Sequence, residues 1–196
     1  MSGTSTDKWH RLYEKGQEIC RVFGLPPQLI NDLQTETTDW AFVLKVDALL
    51  EMCSRKLVAN TLCLKVGETL FAGPKMETFV DKLPTVGRSS IRDLLEVAGC
   101  PLDRIHFLDA VRTIRNAYAH DIAACGETIL AMVLRDRKSR QLLLAMSSVD
   151  EIGYDYEQHA VMIMDDPSVL RFGIMIELLQ FMGMSYRQWG PGETPG

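Results

Sequence analysis

The spacing of Phe107, Val111, Ile114 and Tyr118 constrains this chain more than any other feature of it. At about 100° per residue, these four side chains fall within about 60° of one another on one face of a helix. A stripe of that kind must be buried against other elements. It predicts a helix from about Leu102 to His120. Gly99 ends the preceding helix, and Pro101 sits where a first helical turn accepts proline.

The same periodicity recurs upstream. Val43, Val46, Leu50, Cys53 and Leu57 are three or four apart and predict a long helix from Trp40 to about Leu64, with Thr38 or Asp39 able to cap it. A first helix over about 7–23 is stopped by Gly24 and the Pro26-Pro27 pair. Residues 65–89 carry Gly67, Gly73, Pro74, Pro84 and Gly87, and read as a connection with one short helix at 78–83. Ser90 followed by Asp93 starts a further helix to Ala98. The pattern is least informative over 125–165. ILAMVL and RQLLLAM, around a charged turn, fit two short helices or a hairpin, with helix preferred. A last helix covers about Pro167–Arg187. The expectation is an all-α bundle of about five to seven helices in one domain over 7–189. Residues 1–6 and the tail 190–196, rich in Gly, Pro and Ser, are predicted to be disordered.

Composition removes several function classes. A net charge of −5 gives no global attraction to nucleic acid, so any phosphate binding has to come from a local cluster of cations. Cys20, Cys53, Cys63, Cys100 and Cys125 are odd in number and form no CxxC pair, as expected of reduced thiols in a cytoplasmic protein. No stretch approaches the roughly 20 apolar residues of a membrane span. The richest, FGIMIELLQFMGM, is short and carries Glu177. His10, His106 and His159 lack metal-ligand spacing, and the glycine-rich phosphate loops are absent, so neither a metal nor another cofactor is expected. Met162, Met164, Met175, Met182 and Met184 read as core filling.

The chemistry-bearing stretch is RNAYAHD, residues 115–121. On the helical wheel Asp109, Arg112, Thr113, Asn116 and His120 lie opposite the apolar stripe, with Asn116 and His120 one turn apart. Arg115 lies on the flank, about 140° around from His120. A regular helix therefore does not aim both at one atom. They converge only if the helix unwinds near Tyr118, or if two copies of it face each other. An imidazole exchanges protons near neutral pH, a guanidinium grips phosphate through paired hydrogen bonds, and an Asn can orient either. That set could cleave RNA without metal. The same residues also suit a solvated face, and Arg and His suit the negative end of a helix dipole. Asp47 and Glu51, one turn apart on the apolar side of the second long helix, require partners. Arg115 and Arg112 are candidates, and for Glu51 so is Arg55, four residues on.

Arg115-Asn116 followed by His120, closing a helix, resembles the signature of the HEPN superfamily. The preceding layout, with an early acid-bearing helix (Glu51 in DALLEM), a connection and a short helix, is similar over roughly 38–125. The Asp121 after the His resembles the mannitol operon repressor branch. The resemblance implies a compact HEPN-like helical bundle and a homodimer with the two motifs meeting at the interface. It further implies metal-independent RNase activity, as in toxin and phage-defence members. In that reading Arg115 binds the scissile phosphate, Asn116 supports it and His120 does acid–base work, with Asp47, Glu51, Arg112 and Asp121 in support. A cognate antitoxin or regulatory protein is the implied partner. Ile122, however, stands where antitoxin-paired members often carry Tyr. Other branches of the superfamily are non-catalytic regulators or interaction modules.

Overall fold

The computed structural model describes residues 5–66, 73–87, 90–147 and 156–189. In chain order the described helices are α1 (Ser5–Val22), α2 (Leu29–Gln34), α3 (Asp39–Val66), α4 (Gly73–Asp81), α5 (Ile91–Val97), α6 (Leu102–His120), a 3-10 turn (Ile122–Gly126), α7 (Ile129–Arg135), α8 (Ser139–Met146), α9 (Tyr156–Asp165) and α10 (Ser168–Trp189). The chain is all-α, with no strand among the described residues. The ten α-helices among the described residues exceed the expected five to seven. The extra ones, such as α2 and α9, span only two or three turns, too short for an apolar period to mark them. The short helix of the 65–89 connection starts five residues before its predicted position, at Gly73. α1 begins at Ser5, inside the segment expected to be disordered. Residues 1–4 and 190–196 of the expected tails lie outside the described residues.

Local chemistry sets several boundaries. Gly24 (φ 70°) and Gly99 (φ 81°) take the left-handed conformation that closes a helix. There the N–H of Leu25 donates to Cys20 O and that of Cys100 to Leu95 O. The Ser90 hydroxyl accepts from the Asp93 N–H and starts α5, and the Thr128 hydroxyl accepts from the Ala131 N–H and starts α7. Before α3, Glu36 gathers the N–H groups of Thr37 and Thr38 and the Lys45 ammonium. The Lys45 hydrogen bond, followed by the backbone donor of Thr38, holds the Glu36 carboxyl down at about 2.

α3 is the hub, packing against α10, α4, α6 and α5. α10 is apolar almost all round: Leu170, Ile174, Met175, Leu178, Leu179, Phe181 and Met182 are buried. Ser168–Tyr186 is long and apolar enough to cross a membrane, yet 61% of its most apolar window is buried within the bundle. An ionic clasp joins its start to α3 and α7. Arg171 pairs with Asp39 at 3.3 Å and stacks over Phe42, while Asp39 accepts from the Ile129 N–H at 2.7 Å. Asp39 thus serves α7 and α10 through its side chain. Met175 and Met182 fill the core as expected, whereas Met162 and Met164 lie on the outer face of α9, 37% and 58% exposed.

Phe107, Val111, Ile114 and Tyr118 are all buried. Ile114→Ala is expected to cost about 2–5 kcal/mol in a urea melt, the range for truncating a close-packed aliphatic side chain. A cost near zero would place Ile114 outside the core.

Candidate functional site

α6 carries the candidate residues, and its shape limits what they can do within one chain. The helix is regular through His120, with Asp121 as its C-cap. There is no unwinding near Tyr118. Arg115 and His120 therefore keep their separation of about 140° around the axis and do not meet at one point within a single copy. Tyr118 is locked instead: its hydroxyl donates to the Glu127 carbonyl at 3.0 Å, which ties the last turn of α6 to the chain beyond the 3-10 turn. Asp121 caps that turn, its carboxylate accepting from the Ala123 N–H at 3.0 Å.

The flank of α6 that faces α3 holds the polar core of the site. Asp47, on α3, lies between two arginines. Its carboxylate is 3.8 Å from Arg112 Nε and 3.4 Å from Arg115 Nε. Only about a tenth of the Asp47 and Arg112 side chains reaches solvent, while Arg115 is 43% exposed. Burial pushes the Asp47 carboxyl up, Arg112 and Arg115 pull it back down, and Glu51 adds to the rise. Burial likewise lowers Arg112, against the opposing pull of Asp47, Glu51 and Asp109. Arg112 was expected on the open face of its helix; it is turned inward. Its Nη1 donates to the Thr85 carbonyl at 3.4 Å, and its Nη2 is buried without a hydrogen-bond acceptor among the described residues.

Glu51 takes the local alternative. It accepts from Arg55 Nη2 at 2.8 Å and Nε at 3.1 Å, and from the Thr85 hydroxyl at 3.3 Å. Burial raises its carboxyl, but Arg55, Thr85 and Arg112 together outweigh that and leave it lowered. Arg55 also donates to the carbonyls of Val80, Asp81 and Leu83, which close α4 and begin the next loop. The polar residues thus form a continuous path from the end of α4, through Arg55, Glu51, Thr85, Arg112 and Asp47, to Arg115. Sequence reasoning did not find Thr85 or the carbonyl acceptors. Nothing in a loop sequence signals where its backbone will meet a distant guanidinium.

The outer part of the motif is open. Arg115 Nη1 donates to Asn116 Oδ1 at 3.0 Å, so those two side chains act as a unit held to α3 by Asp47. Asn116 and His120 are exposed. Among the described residues, no hydrogen bond or ion pair orients the His120 ring. Asp109 is drawn to the neighbouring helix, where it pairs with Arg92 at 2.9 Å. The arrangement presents an anchored guanidinium, an amide and a free imidazole on one exposed end of a helix, able to meet a ligand or a second protein surface. No family model matches the chain, and neither a curated protein nor a solved structure is similar to it.

Proposed function

We propose that this chain is a HEPN-type, metal-independent endoribonuclease that works as a homodimer on single-stranded RNA, as a toxin or defence effector. The observation that carries this reading is the fixed Arg115-Asn116 pair, anchored by Asp47, on the same accessible helix end as the uncommitted His120. Two copies facing each other across α6 would supply what one copy lacks, an Arg115 and a His120 on opposite sides of one phosphate.

In that groove the neutral imidazole of one His120 takes the proton of a ribose 2′-hydroxyl. The 2′-oxygen attacks phosphorus, and the P–O5′ bond breaks. The protonated His120 of the second copy donates to the departing 5′-oxygen. Arg115 carries the charge that builds on the non-bridging oxygens, and Asn116 holds the guanidinium in position. All five cysteines are free thiols, in keeping with a reducing, cytoplasmic setting.

The test is cleavage of single-stranded RNA by the purified full chain in EDTA. The expected product is a 5′ fragment ending in a 2′,3′-cyclic phosphate or 3′-phosphate, with a dimer in analytical ultracentrifugation. A monomer that leaves RNA intact would overturn the proposal. A second reading, a non-catalytic regulator related to the mannitol operon repressor branch, is favoured by one observation. Among the described residues His120 has no orienting partner, whereas a general base usually has one. In that reading the same helix end binds a regulatory protein.

A further inference from the structure

We propose that the turn between α7 and α8 is a docking surface for the phosphodiester backbone of single-stranded RNA, held by Arg137 and Lys138. This inference rests on the nuclease reading for its choice of polyanion, but not for its chemistry. Within residues 135–140 (RDRKSR) there are four cations and one acid, in a chain whose net charge is −5. Arg135, Arg137, Lys138 and Arg140 are all exposed.

Their charges are not equivalent. Arg135 is neutralised by Glu127 at 2.8 Å. The Asp136 carboxylate accepts from the Lys138 backbone N–H at 2.7 Å and keeps its charge, which leaves Arg137 and Lys138 as two cations beside one acid. The side chains of Arg137 and Lys138 have no ion pair or hydrogen bond among the described residues. They also sit where a cation is least welcome. α8 opens at Ser139 with no acid in its first turn and no capping side chain, so these charges face the positive end of its dipole. Helix starts ordinarily collect acids, and here the single acid, Asp136, stands outside the helix while two cations flank its start, a departure of the kind expected at functional sites.

The turn is also tied to the helix that carries the motif. Arg135 grips Glu127, and the Glu127 carbonyl accepts from Tyr118 in the last turn of α6. This tie runs through the buried Tyr118 stripe, on the side of α6 away from His120, so an RNA strand at His120 would pass around the end of α6 to reach the turn. Two free cations are too few for an anionic bilayer, which is typically recruited by clusters of about 4–8 Lys and Arg. They suffice as one contact among several along an RNA strand.

The experiment measures binding, not cleavage. The full chain carrying His120→Ala is titrated against a fluorescein-labelled single-stranded RNA over a range of salt, by anisotropy. The variants are Arg137→Ala/Lys138→Ala and, as control, Arg135→Ala. The double variant should bind more weakly, and its plot of log affinity against log salt should be shallower by about 1.4. That is two contacts at roughly 0.7 each for a single strand. Arg135→Ala should match the parent. Unchanged affinity and slope in the double variant, with an intact thermal melt, overturn the proposal. So does binding to phosphatidylserine vesicles through these residues without binding to RNA. If the double variant loses binding but the wild type never cuts RNA, the docking surface stands and the nuclease reading falls. If the wild type cuts but binding ignores Arg137 and Lys138, the reverse holds.

Discussion

Replacing His120 with alanine is expected to lower cleavage of single-stranded RNA by about 10²-fold or more, the range typical of a positioned proton-transfer group. Arg115→Ala should do comparable damage, because the phosphate oxygens gain charge in the transition state and only a fixed guanidinium meets it without reorganisation. Neither change should unfold the protein, although Arg115→Ala should lower the melting temperature, because it removes the nearer of the two cations beside the buried Asp47 carboxylate. His120 is exposed, Arg115 is 43% exposed, and both lie off the buried Phe107–Tyr118 stripe. The two losses should not add, since both residues act on one transition state. Arg135→Ala is the control: its charge is already spent on Glu127, so the rate should hold. Equal residual cleavage by wild type and His120→Ala would mark the activity as a contaminant and move the regulator reading ahead.

The limits of α6 were legible because three signals agreed: the apolar stripe, the glycine that ends α5 and the proline before Leu102. α7 and α8 were ambiguous by pattern, and tertiary packing on α6 settled them as helices. At the site, the need of Asp47 for a partner was legible from an acid amid apolar neighbours, and both candidate arginines meet it. Glu51 shows the limit of that logic, because a local partner one turn away satisfied it first.

The inward turn of Arg112 had a signal that a single stripe concealed. Ile105, Leu108, Arg112 and Arg115 are spaced three, four, three and form a second stripe on the flank of α6. Ile105 and Leu108 are buried. A flank that starts as core continues toward α3, so its arginines leave solvent as well. The open face of the helix is correspondingly narrower and holds Thr113, Asn116 and His120.

That burial leads to the second large expected effect. Asp47→Ala should destabilise the fold by about 3 kcal/mol, at the lower end of the range for breaking a buried ion pair by removing one partner. The cost arises at Arg112, whose Nη2 already lacks an acceptor among the described residues and whose Nε would lose its nearest anion. The lower end applies because the pair is 3.8 Å apart and Glu51 still exerts some attraction on Arg112. Removing both charges is different. Asp47→Leu/Arg112→Met deletes two desolvated groups from a site whose burial disfavours the charged form of each. It should recover wild-type stability or exceed it, as apolar replacements of buried pairs often do. Activity should not recover with stability. The double variant still lacks the carboxylate that holds Arg115 to α3, so the guanidinium swings free and must be fixed during the reaction. Urea melts and RNA cleavage assays on the same three proteins separate the two roles. If stability and cleavage return together in the double variant, Asp47 serves only the fold, and Arg115 is positioned by Asn116 alone.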